Sequence, residues 1–323
     1  MEQKLKIAGQ FDIEGTVSGI APVGNGLIND TYSVTTAETN TPDYILQRIN
    51  HHIFKDVELL QRNIQRVTDH IRAKLEASDE SDIDRKALKL VPAKDGKLYH
   101  FDGENYWRMT VMIPRSVTHE TMTPTLAEQT GMAFGNFQSQ LSDLPEGALG
   151  ETIPNFHNTP DRYRAFLETL ERDPMRRAAQ VQPEIEFALA RQSEMAALQT
   201  ALKAGELPLR VTHNDTKLNN VLLDAKTRKA LCVIDLDTVM PGSSLYDFGD
   251  SIRFGAATAA EDERDLSRME MSLERFRIFT RGYVRSCPGL MQKELELLPL
   301  GAKTMTMECG VRFLTDYLDG DHY

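Results

Sequence analysis

The stretch from Val211 to Asp237 constrains this chain more than any other part of its sequence. It runs VTHNDTKLNNVLLDAKTRKALCVIDLD, in which two short apolar segments, VLL and LCVI, flank a polar turn. Such segments are typical of short strands joined by a hairpin. Asp215 and Asn220 precede the first segment, and Asp235 follows the second. The sequence therefore predicts three oxygen-bearing side chains close to strand ends.

The order of the polar residues in this stretch indicates phosphoryl transfer. His213-x-Asp215 is followed by Lys217 and, five residues after the aspartate, by Asn220. In kinase catalytic loops an Asp in this place accepts the proton of the acceptor hydroxyl, and the Asn five residues later binds a magnesium ion. Mg²⁺ prefers oxygen ligands and keeps several waters, so Asn220 and Asp235 suffice as protein ligands. With Lys217 placed at the γ-phosphate, we interpret the chain as a phosphotransferase that uses ATP and Mg²⁺.

Each of these residues also has a purely structural explanation when it is taken alone. Asp and Asn between two strands usually cap turns, and a lone histidine such as His213 is more often hydrogen-bonded structure than a catalyst. The complete ordered set, closed by VIDLD, favours catalysis over turn chemistry. Asp237 lies one alternation beyond Asp235 and is expected to reach a second metal ion or the backbone of the loop.

The first part of the chain predicts a curled antiparallel sheet with one long helix. The expected elements are strands at 17–23, 27–36 and 44–49, a helix at 55–76, and strands at 87–91, 97–101 and 106–113. The helix follows from apolar residues that recur every three or four positions, and two Asp-Gly turns separate the last three strands. The order is not an alternating βαβ pattern and GxxxxGK[ST] is absent, which excludes a P-loop fold.

Contacts with the nucleotide are expected at two places in this first part. Gly24, Asn25 and Gly26 form a turn between the first two strands, and glycine allows backbone N–H groups to approach phosphates closely. An ordinary hairpin turn has the same composition. The chain leaves the sheet near Met112 and Ile113, just before a proline. This segment is therefore the expected hinge, whose backbone would bond an adenine edge.

The rest of the chain is predicted to be mainly helical. Helices are expected at 123–141 and 159–171, from 183 to about 202, and at 261–280 and 293–314. Asp247, in the segment LYDFGDS, is expected to cap the following helix and to hold the catalytic loop from behind. His157, in the loop before the second of these helices, is a candidate for substrate contact. The predicted division is an N-terminal nucleotide-binding lobe, 1–113, and a C-terminal catalytic and substrate-binding lobe, 114–323.

Length and charge limit the class of partner. A chain of 323 residues has room for two lobes. Its net charge of −11 argues against nucleic acid or an anionic membrane as the main partner. The first residues, MEQKLKIAGQFDIEG, lack the apolar segment of a signal peptide, and no apolar run approaches the roughly 18 residues of a membrane span. We therefore expect a cytoplasmic protein whose partners are small molecules; the oligomeric state stays open.

The sequence resembles a known family over most of its length. HNDTKLNN followed by VIDLD, with the lobe order above, resembles the aminoglycoside-phosphotransferase/choline-kinase superfamily of small-molecule kinases. YILQRIN, HNDTKLNN, IDLDTVMPGSSLYDFGDSIRFGA and GVRFLTDYLDGD are more narrowly similar to the N-acetylhexosamine 1-kinase group. The resemblance implies an α+β, protein-kinase-like fold of two lobes, with an antiparallel sheet and one helix in the first and mainly helices in the second. It also implies phosphorylation of the anomeric hydroxyl of an N-acetylated hexosamine by Mg·ATP.

The resemblance also implies roles for individual residues. By position, Asp215 is the base toward the sugar hydroxyl, Lys217 contacts the γ-phosphate, and Asn220 and Asp235 bind Mg²⁺. Arg312, in RFLTDY, is a candidate for sugar binding, because its planar donor fork suits paired sugar oxygens; a salt bridge on a helix face is the alternative. Tyr317 is expected either to stack on the sugar ring or to pack in the interior.

One position departs from the superfamily pattern and keeps other functions open. Where relatives carry a phosphate-binding lysine on the third strand, this chain has Gln47 with Arg48 beside it. Strand alternation directs these two side chains to opposite faces, so whether Arg48 substitutes for the lysine stays open, and with it the nucleotide preference. The alternatives are a kinase for an aminoglycoside, choline or homoserine, and a pseudokinase without catalysis. The intact set Asp215, Asn220 and Asp235 argues against the pseudokinase.

Overall fold

The chain folds into two units, and each unit is made of three separate stretches of the sequence. The computed structural model describes residues 2–24, 28–145, 147–259 and 263–322. Unit 1 comprises Met1–Thr118, Asp143–Ile153 and Val221–Val239, and unit 2 comprises His119–Ser142, Pro154–Asn220 and Met240–Tyr323. The single boundary predicted after residue 113 is therefore replaced by a division in which the chain returns twice to unit 1.

The helices and strands follow one another in an order close to the predicted one. The helices are α1 (Glu2–Ala8), α2 (Val57–Ala77), α3 (Ile83–Lys86), α4 (Pro124–Gln140), α5 (Thr159–Arg172), α6 (Gln182–Leu189), α7 (Gln192–Met195), α8 (Ala197–Lys203), α9 (Ser244–Gly255), α10 (Leu273–Ser286) and α11 (Gln292–Asp319). The strands are β1 (Val17–Pro22), β2 (Asp30–Thr36), β3 (Tyr44–Ile49), β4 (Leu90–Val91), β5 (His100–Phe101), β6 (Tyr106–Val111), β7 (Ser116–Val117), β8 (Arg210–Thr212), β9 (Val221–Asp224), β10 (Ala230–Val233) and β11 (Met240–Gly242). Short 3-10 turns lie at 178–180, 218–220, 236–238 and 266–268.

Unit 1 is built on an antiparallel sheet in the order β1-β2-β3-β6-β4, with β5 also paired to β6. Alternate residues of the strands, such as Val34, Leu46 and Met109, are buried in one apolar cluster with residues of α1. The side chain of Asp56 caps α2 by accepting the Leu59 N–H. Strands β4 and β5 are only two residues long; α3 precedes β4, and an Asp-Gly turn with Gly96 at φ +83° lies between the two strands.

Two later segments belong to unit 1 because of strand pairing and of hydrogen bonds from one buried side chain. Strands β9 and β10 form the predicted hairpin, and β9 also pairs with β7. The buried amide of Asn63, on α2, donates to the carbonyl oxygens of Gly150 (2.7 Å) and Val239 (3.2 Å). These contacts join residues far apart in sequence, and a linear division at residue 113 could not include them.

Unit 2 is mainly helical, as predicted. The long helices α4 and α10 pack closely, because Gly131 and Gly135 of α4 lie directly against the carbonyl oxygens of Phe279 and Tyr283, where a Cβ atom would collide. The helix predicted from residue 183 is interrupted and forms α6, α7 and α8. The helix predicted at 261–280 begins at 273, where the Ser272 side chain caps it by accepting the Arg275 N–H. Among the described helices, none is long and apolar enough to cross a membrane.

Candidate active site

The loop that follows β8 is anchored by a buried carboxylate of α9. Asp247 accepts the backbone N–H groups of His213 (2.9 Å) and Asn214 (2.8 Å) and the side-chain amide of Gln138 (2.6 Å). Burial raises the pKa of Asp247, while these donors act in the opposite direction. Asp247 therefore holds the loop from behind, as the sequence predicted. The cap of α9 is Ser243 instead, because Asp247 lies inside the first turn of the helix.

A second set of contacts fixes the next residue of the loop to the same helix. The N–H of Thr216 donates to the Asp250 carboxylate (2.9 Å), and its hydroxyl donates to the carbonyl oxygen of Asp247 (2.6 Å). Ser251 in turn donates its hydroxyl to the carbonyl oxygen of Thr216 (3.1 Å). The loop between β8 and the 3-10 turn at 218–220 is thus held on both sides of Asp215 by backbone contacts that do not involve the Asp215 side chain.

Three of the predicted site residues lie together on this loop. The amide nitrogen of Asn220 donates to the backbone oxygen (2.8 Å) and to the carboxylate (3.2 Å) of Asp215. The Lys217 ammonium lies 2.8 Å from the other carboxylate oxygen of Asp215. The Asp215 side chain is 24% exposed, so a substrate hydroxyl has access to it. Because the nitrogen of Asn220 faces Asp215, its carbonyl oxygen is the atom that fits a hard cation such as Mg²⁺.

His157 supports this loop rather than presenting a nitrogen to substrate. One ring nitrogen contacts the Glu308 carboxylate (2.8 Å), and the other donates to the backbone oxygen of Asn214 (3.1 Å). The Thr159 hydroxyl donates to the second oxygen of Glu308 (2.6 Å). Both ring nitrogens are therefore engaged, which corrects the expectation of substrate contact. Burial acts to lower the pKa of His157, but Glu308 outweighs it and raises the pKa; the same contact lowers the pKa of Glu308 against the effect of burial.

We expect the His157–Glu308 pair to stabilise the protein in a defined pH window. A raised His157 pKa stabilises the fold below about pH 6.5, and this contribution is lost as pH rises through the raised value. A lowered Glu308 pKa stabilises it above about pH 4.3, and this is lost as pH falls through the lowered value. Glu308→Gln should therefore lower the free energy of unfolding by about 3–5 kcal/mol at pH 6, and by less as pH rises above the raised pKa of His157. Denaturant unfolding from pH 5 to 9 measures this.

The matched control is Glu194→Gln in the same unit. Glu194 pairs with Lys303, and both side chains are well exposed (44% and 60%). This change should cost about 0–1 kcal/mol with little dependence on pH. A Glu308→Gln variant that behaves like this control would show that the buried pair does not stabilise the folded loop.

Asp235 and Asp237 lie at the end of the hairpin in unit 1 and have different environments. Asp235 follows β10 with a left-handed backbone (φ 60°) and is exposed. Asp237, in the 3-10 turn that follows, is 3% exposed and accepts bonds from Arg108 and from the Asn29 amide. The expectation that Asp237 serves a second metal or the loop backbone is thereby corrected, because its carboxylate is neutralised by a buried guanidinium.

The buried guanidinium belongs to a residue that our sequence analysis did not identify. Arg108, on β6, is 4% exposed; its two terminal nitrogens contact the Asp237 carboxylate, one of them at 3.0 Å. Its Nε donates to the side-chain oxygen of Gln47 (2.9 Å), the residue opposite it in the pairing of β3 and β6. Burial acts to lower the pKa of Arg108, but the charge of Asp237 outweighs it and raises the pKa. The sequence signal was a lone cation inside the apolar strand YWRMTV.

Arg48 does not join this buried cluster. Its guanidinium is 44% exposed, pairs with Asp30 (2.7 Å) and donates to Asn105 (3.2 Å). Gln47, its neighbour on β3, donates instead to Thr31 (3.0 Å) and accepts from Arg108. Strand alternation thus separates the two side chains as expected, and the cation beside the usual lysine position comes from the adjacent strand, not from Arg48.

Of the other residues predicted to contact the nucleotide, the structure describes Gly24, Met112 and Ile113. Gly24 is exposed with φ +71°, a conformation that favours glycine, whereas Asn25 and Gly26 lie outside the described residues. At the expected hinge, the Met112 N–H donates to the carbonyl oxygen of Asp43 (2.8 Å). The carbonyl oxygen of Ile113, which is buried, accepts the Ser116 hydroxyl (2.8 Å). The Met112 N–H is therefore engaged within the protein, and an adenine contact here would use other backbone groups.

A large cavity in unit 2 begins at the loop that carries Lys217. Its volume is about 1510 Å³, and Lys217 and Tyr317 are among its lining residues. The Tyr317 hydroxyl donates to Gln180 (3.1 Å). The Arg177 guanidinium lies over one face of the Tyr317 ring, 4.8 Å from the ring centre. Arg312 lies half-buried on α11.

A protein-family model and several solved structures match this chain. A model of the phosphotransferase enzyme family matches residues 19–276. Spectinomycin phosphotransferase, solved with ADP and spectinomycin, has a TM-score of 0.60 at 11% sequence identity; the alignment covers 98% of this chain and 86% of that protein. An amicoumacin kinase solved with AMP-PNP and Ca²⁺ has a TM-score of 0.59 at 14% sequence identity, with 96% of this chain and 85% of that chain covered. A choline/ethanolamine kinase family protein from Mesorhizobium loti gives 0.57 at 15% identity over 99% and 87%. The predicted kinase-like fold is confirmed.

Proposed function

The chain belongs to the phosphotransferase enzyme family, and on that premise we propose that it is a kinase that phosphorylates the anomeric hydroxyl of an N-acetylated hexosamine. The observation that carries the kinase part is the loop on which Asp215, Lys217 and Asn220 lie together. The hexosamine part is supported by the resemblance of four stretches to the N-acetylhexosamine 1-kinase group. Solved proteins of this fold contain ADP or AMP-PNP beside a small-molecule substrate.

In the proposed reaction, Asp215 is the general base. Its carboxylate accepts the proton of the sugar hydroxyl while the hydroxyl oxygen forms a bond to the γ-phosphorus of ATP. The bond from this phosphorus to the β–γ bridging oxygen breaks, and ADP leaves. Lys217 stabilises negative charge on the transferred group, because its ammonium lies at the carboxylate that faces the reacting hydroxyl.

In this proposal the protein ligands of the metal would be Asn220 and Asp235. Asn220 would offer its side-chain carbonyl oxygen, which the bonds of its nitrogen to Asp215 keep oriented away from the base. Asp235 would offer an exposed carboxylate at the end of β10. When bound, Mg²⁺ neutralises charge on the β- and γ-phosphates. We propose that Gly24, Asn25, Gly26, Met112 and Ile113 contribute backbone groups to the nucleotide.

A panel of acceptors tests the proposed substrate. Incubation with ATP and Mg²⁺ should release ADP with N-acetylglucosamine or N-acetylgalactosamine, and removal of Mg²⁺ with EDTA should abolish the release. The same sugars with the anomeric hydroxyl blocked as a methyl glycoside are the matched control and should not react. Turnover of choline, homoserine or an aminoglycoside without turnover of the hexosamines would reassign the acceptor. Absence of turnover with every compound would favour a pseudokinase.

A further inference from the structure

The cavity in unit 2 is larger than a monosaccharide requires. Its volume of about 1510 Å³ exceeds the roughly 300–1,000 Å³ of pockets that hold drug-sized ligands. A monosaccharide is smaller than such a ligand. Lys217, Leu218 and Asn219 of the catalytic loop line the cavity, so the extra space is continuous with the site of the proposed reaction.

The walls of this cavity are mostly apolar. Side chains from several helices line it, including Met122, Met195, Phe254, Phe276, Met307 and Leu314. Phe187, Met271 and Phe313, which also line it, are each about half exposed, although large apolar side chains usually avoid water. Methionine adapts its shape to different ligands, and contiguous exposed apolar surface commonly marks a binding site.

Two of the charged residues that line the cavity, Lys217 and Arg253, lie beside the loop that carries Asp215, while others, including Glu184, Arg191 and Lys303, line it from other elements. The Arg253 guanidinium pairs with Asp250 (3.0 Å) and lies 3.9 Å from the centre of the Phe254 ring. The Lys217 ammonium lies 5.6 Å from the same ring. Charged groups and the first apolar ring therefore meet next to Asp215, and methionine, leucine and phenylalanine side chains line the cavity beyond them.

We propose that the natural acceptor is amphipathic, with a hydroxyl-bearing head at Asp215 and an acyl chain longer than acetyl in this cavity. The proposal rests on the proposed function and specifies its substrate class. In an N-acylated hexosamine, the N-acyl group is the position from which such a chain extends while the anomeric hydroxyl stays available. The apolar walls then remove the chain from water, which strengthens binding roughly in proportion to the area buried.

Gly310, on α11, is a site at which the cavity can be filled without disturbing the fold. It lines the cavity, and a Cβ atom added there meets nothing within 4 Å. Leucine is also a better helix former than glycine, so Gly310→Leu should fold. Gly289, in the turn after α10, likewise has open space around an added Cβ and is outside the set of described residues that line the cavity. Gly289→Leu is therefore the matched control.

The test compares glucosamines whose N-acyl group is acetyl, butanoyl or hexanoyl. In the wild type and in Gly289→Leu, kcat/KM should rise by about fourfold for each added methylene. In Gly310→Leu, kcat/KM for the hexanoyl compound should fall at least tenfold, while the value for the acetyl compound changes by less than threefold. A kcat/KM that does not depend on chain length, or variants that do not differ, would overturn the proposal.

A second measurement separates this proposal from the identity of the sugar. If no hexosamine is phosphorylated, the proposed function fails, and binding of 1-butanol, 1-hexanol and 1-octanol is measured by calorimetry instead. These probes carry the hydroxyl and the chain without a sugar. Affinity that rises with chain length in the wild type and is lost in Gly310→Leu would support an apolar arm on another acceptor. Equal weak binding by both proteins would overturn it.

Discussion

Replacing Asp215 with Asn is expected to lower kcat by about a thousandfold, within the 10²–10⁴ that general-base catalysis contributes. The affinity for ATP should change by less than about threefold. Asparagine keeps the size of the side chain but cannot accept the hydroxyl proton. The loop should keep its conformation, because Asp247, Asp250 and Ser251 hold it through contacts to other residues. Release of ADP measures kcat, and calorimetry with AMP-PNP measures nucleotide affinity.

Two further measurements make the Asp215 result decisive. Asp319→Asn, at the end of α11, removes an aspartate of the same unit that is 39% exposed and lies 3.5 Å from Arg172. Its turnover should equal that of the wild type, because the residue is far along the chain from the loop with Asp215 and its contacts with Arg172 and His322 lie on the surface. Equal melting temperatures of the three proteins would exclude unfolding as the cause. Turnover of Asp215→Asn within threefold of the wild type would show that another group is the base.

That Asp215, Lys217 and Asn220 lie together could be predicted because they are close in sequence. Asp215, Lys217 and Asn220 span six positions, so their order alone determines that they share one loop. The same holds for the antiparallel strands and for α2, whose apolar periodicity is local. The role of Asp247 in holding the loop was also predicted, and the N–H groups that its carboxylate accepts are those of His213 and Asn214 in the loop. Its predicted place at the start of α9 was wrong by a few residues, because Ser243 precedes the helix.

The parts that sequence could not predict depend on contacts between distant residues. Arg108 and Asp237 are separated by 129 positions, and nothing local indicates that they pair. A charged residue inside an apolar strand signals that a partner must exist, since an isolated buried charge is very costly, but it does not say which. Segments 143–153 and 221–239 belong to unit 1 for the same reason. The Asn63 side chain bonds to Gly150 in the first segment, and β7 pairs with β9 in the second.

His157 and Arg48 illustrate that the type of a residue does not by itself predict which partner its side chain contacts. A histidine in a loop suits substrate binding, yet His157 pairs with Glu308, which lies on the last helix. An arginine beside the usual lysine position suits phosphate binding, yet pleating turns Arg48 toward Asp30. The partner of Arg48 lies directly opposite it on the neighbouring strand β2, whereas the partner of His157 is 151 positions away and could be identified only in the folded structure.

Breaking the Arg108–Asp237 pair is expected to destabilise the protein by about 3–5 kcal/mol. In Arg108→Met the long apolar side chain fills similar space, but the Asp237 carboxylate stays buried with only neutral donors such as Asn29. Asp237→Asn leaves the Arg108 guanidinium buried without its counter-charge. The double variant removes both charges and should be clearly more stable than either single variant. Denaturant unfolding of the four proteins gives the coupling free energy.

Arg48→Met on the neighbouring strand is the matched control for this cycle. Arg48 also pairs with an aspartate, Asp30, but both side chains are about half exposed (44% and 47%), so the change should cost only about 0–1 kcal/mol. The 3-10 turn that contains Asp237 begins directly after Asp235. Under conditions in which Arg108→Met is folded, this variant should therefore need more Mg²⁺ for half-maximal activity than Arg48→Met.

If Arg108→Met were no more destabilising than Arg48→Met, the buried pair would not be what holds this turn to the sheet. The position of Asp235 would then have to depend on the β9–β10 hairpin alone.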